Sequence, residues 1–270
     1  MFGNNLYVRQ MGDQKVIGLE GIRNTAMERG ASLRETEIAA LSVNIIPCRY
    51  LANTKFIGAG NQMKLLSSKA VIVGCGALGG YVCDILARLG IGRLTLVDFD
   101  VFTETNLNRQ SMCTEEAIGK KKAMCAMDRV MKINSSVEVS AVDLMLDESN
   151  ASDLISGADV VVDAVDNPRS KLILEHACIS EGIPMVHGAL ADSRFQVAVI
   201  CGGHLLRNIY AAGFETATAG TPACTAAACA GLQAGEVLKL LLYPGDVSDN
   251  AMLRYDWQYW NHDVIDVSCD

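Results

Sequence analysis

Residues 69–109, KAVIVGCGALGGYVCDILARLGIGRLTLVDFDVFTETNLNR, decide how the rest of this chain is read. Lys69–Val73 is a β-branched run that breaks into Gly74-Cys75-Gly76-Ala77-Leu78-Gly79, after which Leu78, Val82, Ile85, Leu86 and Leu89 recur on one helical face. The order is strand, glycine turn, helix. Gly74 suits the tight turn, Gly76 lets a phosphate approach bare backbone, and Gly79 lets helix and strand pack closely, while the free N–H groups of the helix start attract an anion. A second strand, Arg93–Val97, ends at Asp98, about 20 residues beyond the glycines, where a carboxylate can bond a ribose hydroxyl. Strand, helix and acidic residue together predict a nucleotide site.

A chain of 270 residues, half of them apolar, can bury one large core or a core with a small appendage. The net charge of −8 argues against nucleic-acid binding, which needs a basic face. The start of the chain lacks a basic-then-apolar signal pattern, and no apolar run reaches the roughly 18 residues that a membrane helix needs. The expectation is a soluble, cytoplasmic protein. Ten cysteines would suit a disulfide scaffold in a small secreted domain, but Cys75, Cys83, Cys125, Cys178 and Cys201 fall inside apolar strands and helices and read as reduced core thiols. No Cys-x-x-Cys occurs and the four histidines stand singly, so no zinc is expected.

Residues 1–45 read as an N-terminal helical extension: 1–10 as a loose arm, then a polar stretch, then a capping-box start at Ser32-Leu33-Arg34-Glu35 ahead of a short helix toward Leu41. Residues 45–66 carry Pro47, Arg49-Tyr50 and an amphipathic turn. After Asp98, residues 99–113 read as a polar loop beside the nucleotide, followed by a helix over 115–133 with Lys120, Lys121 and Lys122 in its early turns and a strand over 137–142. Cations near a helix N-terminus oppose its dipole, so these lysines ask for a reason. The strand ending at Asp163 leads through Ala164-Val165-Asp166-Asn167 into a helix begun by Pro168, which puts carboxylates at the carboxyl end of a strand. On the residues alone, Asp166 or Asn167 can equally be a helix cap. Strands over 184–189 and 195–201 follow, then an irregular stretch over 204–221, a buried helix Ala223–Leu242 stopped by Pro244-Gly245, and two strands over 252–255 and 263–267 that finish the sheet in antiparallel fashion.

The ordered set VIVGCGALGG, LTLVDFDVFTETNLNRQ, IGKKKA, DVVVDAVDN, GIPMVHGA and GLQAGEVLKLL resembles the ThiF/MoeB/HesA group, bacterial relatives of ubiquitin-activating enzymes, from about Pro47 onward. The resemblance implies an α/β, doubly wound, Rossmann-like mixed sheet, mainly parallel with antiparallel C-terminal strands, with residues 46–270 as an ATP-binding adenylation domain. It also implies a homodimer that uses ATP and Mg²⁺ to adenylate the C-terminal glycine of a small ubiquitin-like sulfur-carrier protein ending in Gly-Gly. It places Gly74, Gly76 and Gly79 on the phosphates, Asp98 on the ribose, Asn106, Arg109 and Lys122 on the triphosphate, Asp166 on magnesium and Asp100 as a second metal ligand. An NAD-dependent dehydrogenase shares the glycines and Asp98 but has no use for Arg109, Lys122 and Asp166 at one phosphate site.

Three departures qualify the resemblance. The family commonly carries Arg-Tyr-x-Arg before the first strand, and here Arg49-Tyr50-Leu51-Ala52 puts alanine where a second arginine would reach the triphosphate; Arg49 is then the nearest substitute. That substitution leaves open a nucleotide-binding dimeric module with weakened or lost catalysis; a related adenylating dehydratase acting on modified tRNA is a further alternative within the family, and the missing basic surface counts against it. The arginine of the Asp-Asn-x-x-x-Arg pattern appears as Lys171, and paired zinc-binding cysteines are absent. Cys224 lies near where relatives carry a reactive cysteine, and the small residues around it favour core packing.

Overall fold

The computed structural model describes residues 6–211, 220–247, 249 and 251–266. The expected loose arm is partly a strand: residues 1–5 lie outside the described residues, while β1 (Val8–Met11) forms a hairpin with β2 (Gln14–Ile17). Helices α1 (Leu19–Arg29) and α2 (Leu33–Leu41) follow, the latter closed by the reciprocal Ser32–Glu35 capping box legible in the sequence. β2 then pairs in parallel with β3 (Ile45–Pro47), so the N-terminal extension is a small sheet covered by helices rather than helices alone. The amphipathic turn expected before the first core strand is a full helix, α3 (Leu51–Ser67). Its kink at Gly58 (φ 81°, ψ 162°) interrupts the periodicity that would have revealed it.

The main sheet holds eight strands in the order β11-β10-β9-β8-β7-β4-β5-β6. β4 (Lys69–Val73), β5 (Arg93–Val97), β6 (Glu138–Val142), β7 (Val160–Asp163) and β8 (Met185–Ala191) are parallel. β9 (Arg194–Ile200), β10 (Ala251–Asp256) and β11 (Asn261–Asp266) continue antiparallel, which is the mixed sheet the family resemblance implied. Because neighbouring residues of a strand face opposite sides, Ala70 and Ile72 enter one core and Val71 and Val73 the other. The first core packs against α4 (Ala77–Leu89), α5 (Lys122–Ile133) and α9 (Ala223–Leu242). The second packs against α6 (Ala151–Ile155), α7 (Pro168–Glu181) and α8 (Leu205–Ala211).

Three expectations are corrected. The helix over 115–133 is broken: Glu115–Ala117 is a 3₁₀ turn, Gly119 takes a positive φ of 82°, and α5 begins only at Lys122. The intervening residues form an antiparallel bridge, Val101 with Lys121, and Phe102 N–H donates to Lys120 O at 2.9 Å; this tertiary pairing overrides helical continuity. The irregular stretch over 204–221 contains α8, while residues 212–219 lie outside the described residues, as does Val267 of the last expected strand. Finally, α9 is long and apolar enough by length and composition to cross a bilayer, contrary to the reading of the sequence, although half of that stretch is buried. It packs on α4, β8 and β9, and its two charged side chains, Glu236 and Lys239, pair with each other.

Candidate active site

From β4 the chain runs outward through β5 and β6 to one side and then returns to place β7 and β8 on the other. The connections leaving β4 and β7 therefore diverge, and a crevice opens at the carboxyl ends of these two strands. It is a cleft of about 440 Å³, within the range of small-ligand sites, and Gly74, Gly76, Asp98, Asp100, Arg109, Lys122 and Asp166 all line it.

Its floor depends on bare backbone. Gly74 has φ 92°, and a Cβ there would meet Ala164 O at 2.5 Å, so the β4 turn lies directly against the β7 turn. A Cβ on Gly79 would fall 1.8 Å from Gly74 O. Gly79 does not line the cleft; it lets the start of α4 approach the turn from behind. Asp98 fixes the rim, accepting Cys75 N–H at 2.7 Å and Asp100 N–H at 2.8 Å. Burial raises its carboxyl above the ordinary aspartate value, while these amides and Lys122 pull the other way. Its remaining lone pairs are free to accept from hydroxyls. Burial likewise pushes the Cys75 thiol well up, leaving it inert beside the site.

Among the described residues three cations line the cleft, Arg109, Lys122 and Lys171, the last with its ammonium turned to protein acceptors. Arg109 donates through Nη1 to Thr105 O (2.9 Å) and Asn108 Oδ1 (2.8 Å), which leaves other guanidinium hydrogens for an anion. Lys122, buried at the N-terminus of α5, donates to Asp100 Oδ2 at 2.9 Å, and that carboxylate with the adjoining cleft is the reason for a lysine at this position. Asp100 thus shares one carboxylate oxygen with Lys122 and lines the cleft beside it. Asn106 does not line the cleft: its Oδ1 accepts Thr103 N–H at 2.9 Å and its carbonyl accepts Gln110 N–H at 2.9 Å, so it braces the loop that presents Arg109.

Asp166 is exposed in the cleft, and Asn167, not Asp166, caps α7, accepting Ser170 N–H at 2.9 Å. That geometry removes the cap reading of Asp166. Its Oδ1 lies 3.5 Å from Asn167 Nδ2. A single open carboxylate beside a phosphate-sized space fits Mg²⁺, which takes one or two carboxylates and completes its shell with phosphates and water. Among the described residues no group of three or more His, Cys, Asp or Glu side chains gathers as a metal cage.

Of the other basic candidates, Lys171 lines the cleft but is turned to a buried carboxylate, and Arg49 lies outside it. Lys171 is 2% exposed and sits on the buried Asp163 carboxylate, 3.1 Å from each oxygen. Arg49 pairs with fully buried Glu37 (3.3 Å) and with Asn134 Oδ1, while Tyr50 donates to Glu37 Oε2 at 3.1 Å and accepts from Asn134 Nδ2 at 2.8 Å. Arg49 thus joins α2 to the end of α5 and does not line this chain's cleft. Ala52 is exposed on α3, away from the cleft lining. The cysteine readings also need correction: Cys224 is exposed in the first turn of α9 and Cys201 is exposed beyond β9, whereas Cys229 is buried.

Gln110 escaped the reading of the sequence as a site residue. Its side chain is buried in the cleft with Oε1 lacking a hydrogen-bond partner, and a Cβ on Gly76 would lie 3.5 Å from it. The loop's polarity was visible beforehand; the orphaned oxygen was not. A second cavity of about 290 Å³, lined by Arg194, Gln196, Tyr210, Arg254 and Tyr255 among others, shares Ala189 and Leu190 with the first.

The ThiF family model matches residues 48–268. The SAMP-activating enzyme E1 of Haloferax volcanii is 36% identical over 209 residues, covering 74% of this chain and 77% of that protein. The sulfur carrier protein ThiS adenylyltransferase of Bacillus subtilis is 35% identical over 219 residues, 78% of this chain and 64% of that one, so this chain spans under two thirds of that relative. The molybdopterin-synthase adenylyltransferase of Escherichia coli is 31% identical over 202 residues, 72% of this chain and 81% of its own. Among solved structures, E. coli MccB with AMPCPP and MccA superposes with a TM-score of 0.71 at 24% identity, covering 83% of this chain and 72% of that one, a likeness of fold. The family model covers most of the chain, including the glycine turn and the strands and loops that frame the cleft, and the chain belongs to the ThiF family.

Proposed function

We propose that this protein uses ATP to adenylate the C-terminal glycine carboxylate of a small ubiquitin-like sulfur-carrier protein ending in Gly-Gly, releasing pyrophosphate. The observation that carries the reading is the convergence in one cleft of a bare-backbone turn, a ribose-type carboxylate, the cations Arg109 and Lys122, and an open carboxylate. The names of the relatives, adenylyltransferases and an activating enzyme for such carriers, support it. A carboxylate oxygen forms a bond to the α-phosphorus as the bond to pyrophosphate breaks. An anion approaches an anion, so the work is positioning and charge neutralisation, and no general base is required because the attacking group is already ionised near neutral pH.

Gly74, Gly76 and the start of α4 would cradle phosphates, Asp98 would accept from the ribose, and Arg109 and Lys122 would neutralise charge developing on the triphosphate. Asp166 would hold Mg²⁺, which when bound supplies further neutralisation of the phosphates. The second cavity, which shares Ala189 and Leu190 with the first, would offer the carrier's C-terminal tail a path to the α-phosphate. A homodimer in the cytoplasm completes the reading, and exposed Phe56, 83% accessible on α3, is a face that a second copy would cover. A weakened catalyst is the second reading, favoured by Ala52 together with the commitment of Arg49 to Glu37.

The test is ATP–pyrophosphate exchange with a carrier ending in Gly-Gly, beside calorimetric titration with ATP·Mg²⁺ and with NAD. Exchange that Asp166→Asn abolishes without loss of fold is the expected result; tighter binding of NAD than of ATP·Mg²⁺ would overturn it.

A further inference from the structure

Residues 164–167, which carry Asp166, leave β7 at Asp163 and enter α7, and the two ends of this path are tied to each other. The Lys171 ammonium, in the first turn of α7, donates to both Asp163 oxygens (3.1 Å each) and to Gly188 O of β8 (2.9 Å), three acceptors for its three hydrogens. Asp163 also accepts Val165 N–H at 3.2 Å and is 2.6 Å from His187 Nδ1. His187 Nε2 lies 3.0 Å from the Gln196 amide nitrogen, a donor, which assigns the ring proton to Nδ1 and makes that nitrogen donate to Asp163. Burial and the adjacent Lys171 hold His187 below the ordinary histidine value, so the ring is neutral.

Lys171, Asp163 and His187 are 2%, 0% and 0% exposed. As a stabilising device this is a poor choice, because desolvating an ion pair costs about as much as the attraction returns, and a cation near a helix N-terminus opposes the dipole. Nor is it arranged to grip a ligand, since the hydrogens of Lys171 already have protein acceptors. What it defines is the course of the chain from Asp163 to Lys171, with Asp166 at the middle of that course. We propose that Lys171, Asp163 and His187 form a clasp that positions Asp166 toward metal-bound nucleotide. The three are positioning residues, and the proposal rests on the reading of Asp166 as the metal-holding carboxylate.

The experiment is calorimetric titration of the full chain with ATP, once with Mg²⁺ and once with EDTA, the ratio of affinities being the metal-linked gain. The parent shows a gain of at least about tenfold and Asp166→Asn loses it. Asp163→Asn combined with Lys171→Met removes the ion pair without stranding a charge. It is expected to lower the gain at least about fivefold while ATP affinity in EDTA stays within about twofold, a split that general damage to the cleft does not produce. Lys171→Arg, which keeps charge and donors, restores most of the gain. His187→Phe provides a second route should the double variant not fold, with a smaller loss confined to the Mg²⁺ arm. A folded double variant or His187→Phe with the parent's gain, or with equal losses in both arms, overturns the clasp. Absence of any gain in the parent, or its survival in Asp166→Asn, refutes instead the assignment of Asp166 beneath it.

Discussion

Gly79 and Gly80 are neighbours on the same turn of α4, yet alanine should have opposite consequences at the two positions. At Gly79 a Cβ would sit 1.8 Å from Gly74 O, 2.9 Å from Gly74 C and 3.2 Å from Ile72 Cγ2. The obstructing atoms belong to backbone, so α4 has to retreat from β4 by more than an ångström. Overpacking of this kind costs about 1–3 kcal/mol and belongs at the upper end when no side chain can rotate away. Replacing a helical glycine by alanine returns up to about 1 kcal/mol, which leaves a net loss of about 2 kcal/mol. For a domain of this size that is a fall of about 4–8 °C in Tm. At Gly80 the nearest atoms are Ser111 Oγ at 3.0 Å and Met112 Cγ at 3.4 Å, both on side chains that can shift by a few tenths of an ångström. The helix-propensity gain offsets that shift, so Gly80→Ala should melt within about 3 °C of the parent. Scanning calorimetry of the two variants decides it, and calorimetric titration with ATP adds a second reading, because retreat of α4 also pulls its free N–H groups away from the phosphates. A Gly79→Ala protein melting with its parent, or a lower Tm for Gly80→Ala than for Gly79→Ala, would refute the assignment of Gly79 to helix–strand contact.

Asn167→Ala removes the cap of α7 and should cost about 1 kcal/mol, whereas Asp166→Asn, one residue earlier, should leave the melting temperature unchanged; equal losses would return Asp166 to a structural role. Burial raises the Glu37 carboxyl above its ordinary value near 4.5, with Arg49 pulling it down. A carboxyl with a raised folded pKa contributes most below its unfolded pKa, and that contribution is lost as pH rises through the folded pKa. The stability of Glu37→Gln relative to the parent should therefore improve as pH rises above the ordinary glutamate value, measured as the difference in denaturation midpoints; a difference that is flat or falls with pH would contradict the assignment. Ala52→Arg should raise the pyrophosphate-exchange rate at least about tenfold, about 1.4 kcal/mol of barrier, with no change in Tm, and an unchanged rate beside vigorous parental exchange would show that no cation is missing.

The adjacent strand, glycine turn and helix at residues 69–89 were legible because each is a local pattern: β-branched run, glycines at fixed offsets, apolar positions at helical spacing. The same holds for the Ser32–Glu35 capping box and for the proline that opens α7. These features are set within a few residues of chain, and the order of the elements follows from them. The partners of the charged groups were not legible. Arg49 reads as a substitute cation for the triphosphate and Lys171 as a retained charge of the family pattern, and both lie on buried carboxylates, Glu37 and Asp163. Lys122 and Lys171 both line the cleft, but Lys171 donates to buried Asp163 and Gly188 O whereas Lys122 meets the more open Asp100. Sequence spacing does not separate these cases, because each side chain carries the same single positive charge and only the arrangement of strands and helices determines which acceptor it meets. Cys224 and Cys229 illustrate the same limit, lying five residues apart on one helix with one exposed and the other in the core. Local steric and hydrogen-bonding preferences specify an element and its ends, whereas burial and charge pairing depend on what the remainder of the chain brings against it, and that is decided only when the sheet has assembled.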